Sequence, residues 1–193
     1  MSQKSQNGLS LIESAMVLAL SAAVVSGVLY YYNYTKEKRE VNENIKIIQT
    51  IAASVNKLYA TQGGQLTEQG NAEFQDKTIE AIASVSGLNT ITRSTGRLAI
   101  KDATGNSIQL WSPADQAERE YVIELQTASK SNCVTYASLN MGTLMAKKTQ
   151  AFQDSSSGFE DGGALSPSEA TTQCSKLTPV DGRNIKVRYR LRY

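Results

Sequence analysis

Residues 14–32 read SAMVLALSAAVVSGVLYYY, 19 positions without a charged side chain. A helix of about 20 apolar residues crosses the hydrocarbon core of a bilayer, so this block sets the first constraint on the fold. Upstream of it lies the polar stretch MSQKSQNG (1–8). Leu9 then opens the apolar run, which holds a single acid, Glu13, near its start. Downstream the run passes directly into YYYNYTKEKRE (30–40), with no small-residue cleavage site of the kind that ends a secretory signal. On hydropathy alone the block is a signal anchor or a retained helix with a further destination.

The rest of the chain is polar and ordinary. Hydrophobic residues make up 40% and charged residues 20% of 193 positions, and the formal net charge is only +2, a composition that folds. So small an excess of positive charge argues against nucleic acid as a partner, because phosphate binding needs clustered Lys and Arg. With no His and only two Cys, imidazole-based catalysis and most metal sites are excluded. Neither a cofactor nor a metal is expected, and the chain does not read as an enzyme. Asp115, Glu118 and Glu120 read as a solvated loop ahead of a strand, with no nucleophile and base in a recognisable pairing and no Gly-rich phosphate loop.

Glu13 needs an account of its own. A carboxylate at the centre of a bilayer costs about 2.5–3.5 kcal/mol, and Lys4, nine positions upstream, shares no obvious helical face with it. Either Glu13 sits at the interface in water, or something outside the helix pairs with it.

The stretch GLSLIESAMVLAL (8–20) resembles the processing site and helix start of type IV prepilins. The resemblance implies that a prepilin peptidase cuts between Gly8 and Leu9 and that the new N-terminus at Leu9 is methylated. Glu13 then becomes the fifth mature residue, the acid that registers one subunit against the positive N-terminus of its neighbour. A buried charge is tolerable when paired and costly when alone, so this partner would meet the need described above. Leu at the first mature position is similar to the type IVb group. CVTYASLNMGT (133–143) and ALSPSEATTQC (164–174) extend the likeness to the bundle-forming pilins of enteric bacteria and related conjugative thin-pilus pilins.

The implied fold is α+β, a long N-terminal helix packed on a globular head with an antiparallel sheet and a C-terminal disulfide-bounded region. The implied role is the major structural subunit of a type IVb pilus, an extracellular fibre for adhesion, cell aggregation or conjugative mating contact. Alternatives are a minor pilin, a type II secretion pseudopilin or, more remotely, a single-span anchored enzyme. The expected partners are other copies of the chain, the prepilin peptidase and pilus assembly machinery, the bacterial inner membrane before assembly, and a host or recipient cell surface afterwards.

This reading divides the chain into a leader (1–8), an apolar helix (9–34), an amphipathic helix (35–62) and a head (63–193). Val41, Ile45, Ile48, Ala52, Val55 and Tyr59 recur three or four apart, which is the period of a helix with one buried stripe. No Pro interrupts 9–62 and Gly63-Gly64 gives the stop; a continuous helix of that length would run about 80 Å. Gly27, beside Ser26, is either a point of bending or melting on assembly or a small residue for close packing. Tyr30, Tyr31, Tyr32 and Tyr34 precede Lys36, Lys38 and Arg39 and read as a membrane-interface belt.

In the head, Phe74, Ile79, Ile82 and Val85 predict a short helix ending at Gly87. RLAI (97–100) and SIQLW (107–111) predict a hairpin across KDATGN, and YVIELQT (121–127) a half-buried strand. The sheet is expected to lie against the long helix. In the last strand Ile185, Val187, Tyr189, Leu191 and Tyr193 alternate with Lys186, Arg188, Arg190 and Arg192. The basic row reads as a solvated face whose charges discourage edge-to-edge pairing; the alternatives are contact with an acidic neighbouring subunit, anionic sugars or DNA. Cys133 and Cys174 are expected to form a disulfide in the oxidising compartment that export implies, enclosing 133–174 and stabilising the head by about 4 kcal/mol on the chain-entropy model. Before the second cysteine, Ser166-Pro167-Ser168-Glu169 carries a capping box with Pro at the first helical position.

Overall fold

The computed structural model describes residues 11–61, 66, 71–115, 117–154, 158–179 and 184–193. Gly8, Leu9 and Gly63-Gly64 lie outside them. The chain divides into two units, Met1–Glu40 and Val41–Tyr193, which are taken in turn.

Helix α1 (Leu11–Tyr59) begins in the first unit and ends in the second. In the first unit its side chains are exposed almost without exception. Ala, Leu, Val and Met supply good helix formers there, and Gly27 does not interrupt the helix: Ser26 Oγ donates to the Ala22 carbonyl at 2.8 Å, a bond one turn back.

In the second unit α1 turns amphipathic and buries Val41, Asn44, Ile48, Ile51, Ala52, Ser54 and Val55. Ile45 and Tyr59, expected on the buried stripe, are only half-buried. The stripe faces a six-stranded sheet built from β1 (Thr90–Thr92), β2 (Leu98–Lys101), β3 (Ser107–Trp111), β4 (Glu120–Thr127), β5 (Gln150–Phe152) and β6 (Ile185–Arg192). All pairings are antiparallel and the order is β1-β2-β3-β4-β6-β5. Ile48, Ile51 and Val55 join Ile100, Ile108, Leu110, Ile123, Leu125 and Tyr189 in one apolar core.

Helix α2 (Ala72–Ser86) covers the β2–β3 part of the sheet. Its first turn is capped by Asn71, whose Oδ1 accepts from Phe74 N at 3.0 Å, and it ends at Gly87, where φ of +70° favours glycine. Ile79 and Ile82 are buried as expected, together with Thr78 and Ala83, but Phe74 and Val85 are not. The spacing of those four residues is looser than one helical face: at about 100° per residue Phe74 lies roughly 140° from Ile79.

The expected hairpin is β2–β3, with Ile100 opposite Ile108. Its loop is tied by Asp102 Oδ1, which accepts from Thr104 N (2.8 Å), Thr104 Oγ1 (2.8 Å) and Asn106 N (2.7 Å). Strand β4 is buried on both faces rather than half-buried, Val122 and Glu124 included. It lies inside the sheet, and the outward side is covered by side chains from neighbouring strands. Likewise β6 sits between β4 and β5, so its charges guard no edge, and that expectation is corrected.

Beyond β4 come α3 (Lys130–Ala137), a single 3-10 turn at Gly142–Leu144, and α4 (Pro167–Lys176). The capping box at α4 is present in full: Ser166 Oγ accepts from Glu169 N at 3.3 Å and Glu169 Oε2 accepts from Ser166 N at 2.9 Å.

Candidate functional site

Two surfaces qualify as functional, and each follows from its residues. The first is α1 from Leu11 to Tyr34, where Leu, Ile, Val, Met and Tyr side chains all stand exposed. It is the one helix among the described residues long and apolar enough to cross a membrane. Contiguous apolar surface on this scale calls for lipid or protein around it. Glu13 lies in the first described turn of α1. At the other end of the run, Tyr30, Tyr31, Tyr32 and Tyr34 are exposed, and Lys38 Nζ sits 5.4 Å from the centre of the Tyr34 ring.

The second is the C-terminal region of the head. Cys133 on α3 and Cys174 on α4 are bonded, with Cα atoms 6.0 Å apart. Both are buried, so the bridge is a core element that clamps two short helices together. The strand that follows presses against α3: Tyr189 Oη donates to the Tyr136 carbonyl at 2.6 Å. Burial pushes the Tyr189 hydroxyl well above its usual pKa, so it stays a donor. At the surface Glu169 accepts from Lys148 Nζ (2.8 Å) and from Ser166 Oγ (2.7 Å). Those bonds, Lys148 first, hold its carboxyl down to about 2.

The outward face of the sheet overturns the solvated reading of the basic row. Arg188 places Nη2 2.7 Å from Glu124 Oε2, and its guanidinium lies 4.5 Å from the Phe152 ring and 5.2 Å from Trp111. Arg190, only 6% exposed, meets Glu120 Oε2 at 2.6 Å and Asp115 Oδ2 at 2.8 Å, with the Phe159 ring 5.7 Å away. Only Arg192 on this row is exposed. Asp115 and Glu120 both pair with Arg190; Asp115 and Glu118 are exposed, as expected of a solvated loop, and Glu120 is half-buried. Burial raises the Asp115 carboxyl, but the hydrogen bonds from Arg190 and Ala117 N outweigh it and hold the pKa below its usual value. A signal was available in the sequence, since Glu120 and Glu124 share one parity on the strand paired with the arginines.

A buried polar contact that the periodicity missed also fixes the helix. Asn44, 1% exposed, donates from Nδ2 to Tyr136 Oη at 3.1 Å and accepts at Oδ1 from Ala103 N at 2.7 Å. It joins α1 to the hairpin and to α3. Arg119, in the left-handed region at φ +59°, similarly donates to the carbonyls of Tyr193 (3.0 Å) and Ala60 (2.9 Å).

An apolar helix running into an α+β head with a bridged C-terminal region is the architecture of a type IV pilin. The solved type IV b pilin from Salmonella typhi has this fold: it matches with a TM-score of 0.52 and 12% identity, covering 79% of this chain and 97% of that one. The family model for bundlin matches residues 35–192, and the chain belongs to the bundlin family. Two relatives named as the major structural subunit of bundle-forming pilus, from Escherichia coli O127:H6 (strain E2348/69 / EPEC) and Escherichia coli O111:H-, are each 29% identical over 183 residues. The match covers 90% of this chain and 90% of either relative.

Proposed function

We propose that the chain is the major structural subunit of a type IVb pilus, made as an inner-membrane precursor and polymerised into an extracellular fibre. The observation that carries this reading is the uniformly exposed apolar surface of α1 up to Tyr34, set in a family whose named relatives are pilus subunits. Lipid satisfies that surface before assembly and neighbouring copies satisfy it afterwards. A prepilin peptidase would cut between Gly8 and Leu9, Leu9 would be methylated, and Glu13 would pair with the N-terminus of the adjoining subunit. The work is assembly rather than catalysis, and the fibre would serve adhesion, aggregation or mating contact at a host or recipient surface.

Glu13→Ala tests the mechanism. The variant should insert in the membrane as the parent does and be lost from sheared fibres; normal fibre yield would refute the role of the carboxylate. Mass spectrometry of the fibre protein should begin at Leu9, and a chain retaining Met1 would refute processing. A dominant band of this chain in sheared fibres separates a major from a minor subunit.

A further inference from the structure

Past the apolar run, YYYNYTKEKRE (30–40) sets four tyrosines beside Lys36, Lys38 and Arg39, and all of these side chains are exposed. With Glu13 at one edge of the hydrocarbon, Tyr34 lies about 32 Å further along the helix, close to the thickness of a bilayer core. Lys36 to Arg39 then fall about 3–8 Å beyond Tyr34, inside the polar layer that adds roughly 5–8 Å on each side. At about 100° per residue Tyr32, Lys36 and Arg39 share one helix face within roughly 60°, and Tyr31, Tyr34 and Lys38 share another. On the second face Lys38 Nζ is 5.4 Å from the centre of the Tyr34 ring. On the first, the Lys36–Glu40 contact is long, at 3.7 Å, and the lysine side chain is 54% exposed, so the pair holds that ammonium only weakly. Glu37 falls on neither face. Each face therefore offers a phenol at the acyl boundary and a cation one or two turns further out, at the depth of a lipid phosphate.

Lys and Arg within about 15–20 residues of a membrane span ordinarily collect on its cytoplasmic side. Here Lys4 alone lies on the leader side, against Lys36, Lys38, Arg39 and Lys46 on the head side. The head holds a disulfide, which belongs to an oxidising compartment, so the cluster stands where the usual bias opposes it. Orientation does not account for these cations, whereas attraction to anionic headgroups does: a basic side chain at such a surface gains about fivefold in association. We infer that residues 30–39 form a binding site for anionic phospholipid in the head-side leaflet. Lys36 and Arg39 on one face and Lys38 on the other meet the headgroup phosphates, while Tyr31, Tyr32 and Tyr34 seat the boundary with the acyl chains. The contact fixes the depth of the helix before assembly. This rests on the inner-membrane precursor reading above and adds to it a class of lipid.

The experiment uses the full chain in mixed micelles that hold phosphatidylglycerol and phosphatidylcholine in equal amounts, and counts the lipids each subunit retains by native mass spectrometry. The parent should retain phosphatidylglycerol over phosphatidylcholine by at least about fivefold. Lys36→Gln, Lys38→Gln and Arg39→Gln together should bring that ratio to about one; glutamine is a good helix former, so α1 is kept. Lys36→Arg with Lys38→Arg should preserve the preference, and so should Lys77→Gln, Lys101→Gln and Lys176→Gln, which remove three exposed charges from the head. A parent without preference overturns the inference, and so does a preference that survives the loss of all three cations or falls equally in the head variant. Flotation with pure phosphatidylcholine vesicles separates the two readings. Parent and triple variant should both float; a parent that floats without selecting phosphatidylglycerol overturns this inference alone, and one that does not float overturns the membrane-precursor reading and this inference with it.

Discussion

Arg188 and Glu124 stand directly opposite each other on β6 and β4, 2.7 Å apart, with the carboxylate side chain only 4% exposed and the guanidinium between Trp111 and Phe152. Removing one partner of so buried a pair strands the other charge. Arg188→Ala should destabilise the head by about 3–5 kcal/mol in denaturant unfolding. Arg188→Met combined with Glu124→Leu should recover most of that loss, because an apolar pair of similar volume leaves no stranded charge.

Acid should weaken the head over a defined range. The carboxyl of Glu169 falls from 4.5 to about 2 on folding. A depressed pKa contributes stability that is fully present above the unfolded value and lost as pH falls through the folded one. The Lys148–Glu169 contribution should therefore hold above about pH 4.5 and disappear towards pH 2. Asp115, also depressed, acts in the same direction. Glu169→Gln should flatten that limb of a stability-against-pH curve while leaving Asp115's part in place.

Reduction of the Cys133–Cys174 bridge opens a 41-residue separation. On the chain-entropy model that costs about 4 kcal/mol. Cys133→Ser with Cys174→Ser should lower the unfolding free energy by that order, and reductant should shift the parent's unfolding midpoint but not the double variant's.

Asn44→Ala removes the bonds to Tyr136 and to Ala103 N. A loss of about 1–3 kcal/mol is expected for such a buried polar group. Hydrogen exchange should report it at the β2–β3 hairpin as well as on α1, since Ala103 N–H loses its acceptor.

The parts of the fold legible in the sequence were those where one residue decides one local feature. Pro167 and Ser166 start α4, Gly87 ends α2, and the alternation from Ile185 to Tyr193 makes a strand whatever lies around it. What stayed hidden depends on position in the sheet. Arg190 alternates with apolar residues whether its strand is an edge or interior, and only the order β4-β6-β5 puts Asp115 and Glu120 against it. Asn44 was missed for a similar reason, because a polar residue on an apolar stripe reads as a flaw until the hairpin and α3 supply its partners. Strand β1 is three residues long, too short for alternation to register.

Asn44 has a mechanical consequence. Apolar side chains at Ile48, Ile51 and Val55 hold the helix to the sheet by close packing, which carries no directional bond along the helix axis. Hydrogen bonds have a single geometry and resist sliding. The bonds at Asn44, with that of Arg119 to the Ala60 carbonyl sixteen residues further on, act as two rivets against shear between helix and head. Pulling the helix along its axis against the head would therefore strain these directional bonds together with the packed core, and loss of Asn44 or Arg119 should lower the force at which helix and head part.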